Sequence, residues 1–136
     1  MTTQFDWLSY LDVAEHLLAQ AGPAIRAAAA FGPEQGFYRS TISRAYYGVL
    51  CHTRDTLQPF RDTLFSSRGD VHQQVIDTLL HDSRPEVVAL GESLDELRKE
   101  RGRADYRTRL RFGANRVRSA LSTAREIRDG ITASFP

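Results

Sequence analysis

Residues 37–57, with the sequence FYRSTISRAYYGVLCHTRDTL, carry the clearest helical pattern in the chain. Apolar side chains recur there at spacings of three and four residues, which is typical of a helix with one buried face. We predict a helix over residues 34–57 that stops near Pro59, because proline cannot continue a helix without losing a hydrogen bond. The side chains predicted to be buried are Phe37, Thr41, Ile42, Ala45, Tyr46, Val49 and Leu57.

The same periodicity predicts four further helices, over residues 6–21, 70–81, 83–102 and 108–134. Asp6 and Asp70 are candidate N-caps, and Ser83 opens a Ser-Arg-Pro-Glu start signal. Gly22-Pro23 should interrupt the first helix, so that residues 24–31 form either a short helix or a continuation. The fourth helix should fray near Gly102.

No stretch alternates as a strand would, so the sequence predicts an all-α protein, an up-and-down antiparallel bundle of about five helices. The length of 136 residues suits a single domain covering residues 1–136. No apolar run approaches about 18 residues and no secretory signal opens the chain, which predicts a cytoplasmic protein without a membrane span. The lone Cys51 excludes a disulfide framework within one chain, and we expect no metal or cofactor.

The net charge of +1 conceals a strong asymmetry along the chain. Residues 98–128 carry a net charge of +8, whereas the remainder carries −7. Such asymmetry favours a polyanionic or acidic partner, and arginine suits phosphate because it offers two parallel hydrogen bonds. The candidate residues for binding RNA or another phosphate group are Arg103, Arg107, Arg111, Arg118 and Arg125.

The same arginines have a second interpretation, as internal salt bridges. Arg111, Arg118 and Arg125 recur every seven residues, one position after an apolar seam, so they can flank a buried face. The rest of the chain is acidic and offers many partners for them. The acidic side chains considered for this role are Asp77, Asp82, Glu92, Asp95 and Glu96.

Two strings combine charged and aromatic residues in the middle or at the end of a helix, SRAYYGVLCH at 43–52 and RKERGRADY at 98–106. An arginine that is buried in a helix needs a carboxylate, because its guanidinium cannot lose its proton. We therefore predict a structural tie between Arg44 and Asp105, and we expect three tyrosines to pack around it, namely Tyr46, Tyr47 and Tyr106. A catalytic role is the alternative for the same residues.

In order and spacing, these strings resemble the HEPN superfamily (higher eukaryote and prokaryote nucleotide-binding), and the resemblance covers about residues 5–110. Its elements are Trp7, Tyr10-Leu11, Ala14 and Leu17, then 38–47, Arg54, His72, Val75, Leu97, Arg101 and Ala104-Asp105-Tyr106. The resemblance implies a helical bundle, commonly a homodimer, often beside a minimal nucleotidyltransferase as a toxin–antitoxin-like pair. Many members of the family are metal-independent RNA endonucleases.

In that family, ribonuclease activity is tied to an arginine followed by a histidine after four to six intervening residues. The motif is absent here as written. His52 follows Arg44 with seven residues between them, and His72 follows Arg68 with three. Cys51 stands where many relatives would place the histidine.

The sequence is therefore consistent with two functions. The first is an RNA- or nucleotide-directed protein of a toxin–antitoxin or defence-type system, which, if it cuts RNA, uses acid–base chemistry without a metal. Its candidate catalytic residues are His72, Arg44, Arg101 and Tyr47, with His52 as a substitute. The second is a non-catalytic HEPN protein that binds a partner such as a nucleotidyltransferase, with Arg44, Asp105 and the tyrosines as scaffold.

Overall fold

The computed structural model describes residues 4–27 and 33–136, and within them it contains five α-helices and no strand. The helices are α1 (Ser9–Ala27), α2 (Pro33–Leu57), α3 (Val71–Leu80), α4 (Pro85–Tyr106) and α5 (Ala114–Ser134). A turn of 3₁₀-helix, Gln58–Phe60, follows α2. The prediction of an all-α helical bundle is confirmed.

Helix α2 contacts all four of the other helices, so its buried face organises the core. Six of the seven side chains predicted to be buried on this helix are buried, and Phe37 is half-buried against the core. Tyr46 is fully buried, as are Ile42 and Val49. All five helices contribute to one hydrophobic cluster. None of the described helices combines the length and the apolar character needed to cross a membrane.

Helix α1 continues through Gly22 and Pro23 to Ala27, so the predicted interruption is wrong and, of the two predicted alternatives, residues 24–27 form the continuation. Proline at this position removes the hydrogen bond to the carbonyl of Ala19, on a side of the helix where both Ala19 and Pro23 are exposed. Burial of Ala21 against the core favours the helical path. The part of the prediction that concerns residues 28–31 lies outside the described residues.

The helix starts follow the predicted caps only in part. The Asp6 carboxylate accepts a backbone N–H at 3.0 Å just before α1. Asp70 precedes α3 as predicted, but its side chain makes no capping hydrogen bond. At α4 it is Asp82, rather than Ser83, whose carboxylate accepts the backbone N–H of Arg84, at 2.9 Å.

Helix α4 runs past Gly102 to Tyr106, and α5 begins at Ala114 rather than at residue 108. The predicted fraying near Gly102 does not occur because Ala104, in the last turn, is buried in the core. Residues 107–113 form a connection instead of the first turns of α5.

Two side chains of α2 hold this connection in place. Gln35 exchanges two hydrogen bonds with the backbone of Phe112, each 2.8 Å long. Arg39 donates hydrogen bonds to the carbonyl oxygens of Ala104, Arg107 and Leu110. The last carbonyls of a helix lack partners within the helix, so Arg39 caps α4 and fixes the path that follows it.

Gly91 marks a close approach of α4 to α3. A Cβ atom at this position would lie 2.9 Å from the Cβ of Leu79 and 3.1 Å from the backbone nitrogen of Leu80. Because one of these neighbours is backbone, the helices would have to separate to admit a side chain.

We expect Gly91→Ala to lower the free energy of unfolding by about 1–3 kcal/mol, because the added methyl group overpacks the α3–α4 contact. Gly102→Ala in the same helix is the matched control. Nothing lies within 4 Å of its Cβ position, so the substitution should raise stability by about 0.5–1 kcal/mol. Urea denaturation followed by circular dichroism measures both changes, and stabilisation by Gly91→Ala would contradict the close approach.

Candidate functional site

The candidate site is a cluster in which side chains from α2, α3 and α4 meet around Tyr46. The hydroxyl of Tyr46 lies 2.6 Å from Nδ1 of His72, and the two rings stack with their centroids 5.6 Å apart. The ring of Tyr47 contacts the same histidine edge-on at 5.8 Å. A buried tyrosine hydroxyl needs a hydrogen-bond partner, so this contact fixes the imidazole against α2.

Arg101 of α4 contributes the cationic group of the cluster. Its guanidinium carbon lies 5.4 Å from the ring centroids of both Tyr46 and Tyr47, and 6.0 Å from that of Tyr106. Its Nη1 contacts the carboxylate of Asp105 at 3.4 Å, and its buried Nε has no partner among the described residues. A guanidinium has five N–H donors, so this arginine retains donors for an anionic ligand.

The environment sets the protonation states of Tyr46 and His72. Burial lowers the pKa of His72 below its ordinary value of 6.5, and the positive charges of Arg98 and Arg101 lower it further. Burial raises the pKa of Tyr46, so the phenol stays protonated. At neutral pH the cluster therefore holds an uncharged imidazole. Because Nδ1 is engaged by Tyr46, Nε2 is the ring nitrogen left for a substrate.

Arg98 is a site residue that the sequence reasoning did not single out. Its guanidinium lowers the pKa of His72 and its Nη1 donates a hydrogen bond to the side chain of Gln73 at 2.9 Å. The sequence spacing could have indicated this role, because a residue three positions before Arg101 lies on the same face of α4.

The structure brings three of the four predicted catalytic residues together, namely His72, Arg101 and Tyr47. The fourth, Arg44, lies elsewhere: it is exposed, and its guanidinium lies 5.1 Å from the ring centroid of Tyr10 on α1. The predicted Arg44–Asp105 tie is wrong, since Asp105 pairs with Arg101. Two helical positions separate Arg44 from Tyr46, which turns their side chains about 200° apart.

His52, the predicted substitute for His72, belongs to a different part of the molecule. It lines a pocket with the N-terminal segment, including Asp6 and Trp7, and its buried Nε2 has no partner among the described residues. Burial lowers the pKa of His52. Cys51 beside it is buried, and burial raises the pKa of its thiol. Neither residue joins the cluster around Tyr46.

The predicted phosphate-binding arginines lie in several separate places on the molecule. Several of them and their neighbours make internal contacts, although not with the acids considered above. These are Arg103 and Arg116 with Glu100 at 3.3 and 2.7 Å, Arg111 with Glu34 at 3.5 Å, Arg118 with Asn115 at 3.2 Å, and Arg125 with Glu15. Arg107 lines a pocket at the end of α4, and Arg118 and Arg125 line another beside α1.

Comparisons of the chain with protein-family models, with curated proteins and with solved structures find no match. The functional assignment therefore depends on the chemistry of the cluster and on the sequence strings that build it. The residues that the structure describes contain no group of three or more His, Cys, Asp or Glu side chains that could hold a metal ion. What the cluster offers is one neutral imidazole, cationic groups and phenols.

We expect His72 to titrate below its ordinary pKa of 6.5, and Arg98→Gln to raise that pKa because one nearby positive charge is removed. Arg118→Gln, which removes an equal charge from α5, should leave the titration unchanged. Imidazole resonances followed by NMR across the acidic and neutral range measure these shifts. An unaltered titration in the Arg98 variant would contradict the electrostatic coupling.

Proposed function

We propose that this chain is a metal-independent ribonuclease of the HEPN type, with the cluster of Tyr46, Tyr47, His72 and Arg101 as its reacting site. One observation carries the proposal: a neutral imidazole and an incompletely hydrogen-bonded guanidinium converge on the same buried phenol. Cleavage of RNA without a metal needs a proton acceptor and a cation for the phosphate. The resemblance of the Ser-Arg-Ala-Tyr-Tyr and Ala-Asp-Tyr strings to HEPN proteins points to the same chemistry.

In the proposed reaction, His72 accepts the proton of a ribose 2′-hydroxyl at Nε2 while Nδ1–H donates to the phenol oxygen of Tyr46. The 2′-oxygen then bonds to phosphorus and the P–O5′ bond breaks. The products are a 2′,3′-cyclic phosphate and a 5′-hydroxyl. The 5′-oxygen takes a proton from water, and the hydroxide formed in this way takes back the proton held at Nε2 of His72. The lowered pKa of His72 keeps it ready to accept a proton at neutral pH.

Arg101 and Tyr47 serve the phosphate in this scheme. The guanidinium stabilises the negative charge that develops on the phosphoryl oxygens, and it does so from a fixed position among three tyrosine rings. Tyr47, which is half-buried beside His72, donates a hydrogen bond to the same group. The arginines that line the pocket at the end of α4 attract the polyanionic substrate.

The family resemblance also supports a biological setting. We propose that the chain acts in the cytoplasm as a homodimer in a toxin–antitoxin or defence-type system, with a minimal nucleotidyltransferase as its partner. These proposals depend on the resemblance rather than on the geometry of the cluster.

A non-catalytic HEPN protein that binds such a partner is the second candidate. The observation that favours it is the absence of the family's Arg–His motif, since Cys51 is buried in α2 at the position where relatives carry the histidine. In this case the cluster around Tyr46 would only hold α2, α3 and α4 together.

Purified protein should cleave mixed-sequence single-stranded RNA in excess EDTA and leave 2′,3′-cyclic phosphate ends. We expect His72→Ala and Arg101→Ala each to lower the cleavage rate by at least about 100-fold, since each removes a group that acts in the transition state. The rate should rise with pH through the lowered pKa of His72 and then level off, because only the neutral imidazole accepts a proton.

The matched control is His52→Ala, which removes an imidazole from the separate pocket near the N-terminus and should leave the rate unchanged. Circular dichroism verifies that each variant is folded. No cleavage by folded wild-type protein at high concentration, or equal loss in the His52 and His72 variants, would refute the ribonuclease proposal.

A further inference from the structure

A second surface feature lies directly beside the cluster, at the junction of α4 and the connection 107–113. It is a pocket of about 670 Å³. This volume lies within the range of roughly 300–1,000 Å³ that is usual for small-ligand sites. Four arginines line it together with an aromatic and an aliphatic side chain, namely Arg103, Arg107, Arg109, Arg116, Tyr106 and Leu110.

The pocket has an excess of positive charge that the fold does not neutralise. Arg116 holds Glu100 through two hydrogen bonds of 2.7 Å, and Arg103 shares the same carboxylate at 3.3 Å. The exposed side chains of Arg107 and Arg109 have no carboxylate partner among the described residues. Four cations therefore face one anion, which favours a ligand that carries phosphate.

Tyr106 connects this pocket to the cluster around Tyr46. Its side chain is 73% exposed, and its ring lies 6.0 Å from the guanidinium carbon of Arg101. An exposed aromatic ring flanked by cations is the arrangement on which an unpaired base stacks while its phosphates are bound. A ligand in the pocket would thus lie next to a phosphate at Arg101.

The backbone that presents these groups is held in place before any ligand arrives. Arg39 donates to the carbonyl oxygens of Arg107 and Leu110, and Gln35 pairs with the backbone of Phe112. A pre-organised loop loses little conformational entropy when it binds, so these contacts favour a binding function for the connection 107–113.

We infer that this pocket binds the nucleotide next to the scissile phosphate of single-stranded RNA. The base stacks on Tyr106, and the flanking phosphates pair with Arg107 and Arg109. The strand is single because a base must be unpaired to stack on a side chain. The position of the scissile phosphate follows from the proposed function, whereas binding in the pocket does not require cleavage.

The test uses the full chain and a fluorescent single-stranded oligoribonucleotide with 2′-O-methyl groups throughout, which cannot be cleaved by its own 2′-oxygens. Anisotropy titrations at several salt concentrations measure its affinity. We expect Arg107→Ala/Arg109→Ala to weaken binding at least tenfold and to reduce the salt slope by about 1.4, or about 0.7 for each lost phosphate contact.

Substitutions of Tyr106 measure the contribution of base stacking to RNA binding separately from that of the arginine charges. Tyr106→Ala should weaken binding by roughly 5- to 150-fold, the equivalent of about 1–3 kcal/mol for one stacked base. Tyr106→Phe keeps the ring and should bind as the wild type does. All of these side chains are exposed, and circular dichroism verifies folding.

The control double variant Arg118→Ala/Arg125→Ala removes the same charge from the pocket beside α1 and should change affinity less than twofold. Equal losses in the two double variants, or unchanged binding in Arg107→Ala/Arg109→Ala, would overturn the inference. Duplex RNA that binds as tightly as the single strand would also overturn it. Displacement of the strand by micromolar AMP would assign the pocket to a free nucleotide instead.

The outcome for this pocket is separate from the outcome for cleavage. If unmodified RNA is not cut but the pocket variants still lose affinity for the modified strand, only the proposed ribonuclease function fails. If cleavage occurs but the pocket variants bind normally, only the pocket assignment fails.

Discussion

The fully buried hydroxyl of Tyr46 is the constraint around which the candidate site is built. A phenol taken out of water without a hydrogen-bond partner costs free energy, and here the partner is His72, 2.6 Å away on α3. The contact therefore joins α3 to α2 at this point. Arg101 of α4 lies against the same ring, so one side chain of α2 contacts both the imidazole and the guanidinium.

The connection 107–113 shows a similar dependence on α2. Its backbone carbonyls are bound by Arg39, and its Phe112 is paired with Gln35 and buried in the core. This arrangement ends α4 at Tyr106 and leaves Tyr106 exposed beside Arg101. The pocket at the end of α4 and the cluster around Tyr46 are therefore neighbours because two polar side chains of one helix hold the chain between them.

The long periodic segments were predicted well, but the end of α1, the end of α4 and the start of α5 were not. Helices α2 (Pro33–Leu57) and α3 (Val71–Leu80) match the segments predicted at 34–57 and 70–81, because burial of one apolar face stabilises a helix whatever its partners. The predicted break at Pro23 does not occur because the packing of α1 against the core outweighs the loss of one hydrogen bond on its exposed side. The predicted start of α5 at residue 108 is wrong because Gln35 and Arg39, more than 65 residues away, bind the carbonyl oxygens of Phe112 and Leu110.

The sequence alone determined the all-α class, the segregation of charge into an acidic part and a basic part, and His72, Arg101 and Tyr47 as candidates. These properties depend on local spacing and on residue type. Helix packing brings these three residues together, turns Arg44 toward α1 and pairs Asp105 with Arg101 on its own helix. It also leaves Arg107 and Arg109 without a carboxylate partner among the described residues. Such outcomes depend on the rotation and approach of whole helices, which are set by long-range packing and by the partners that buried polar groups must find.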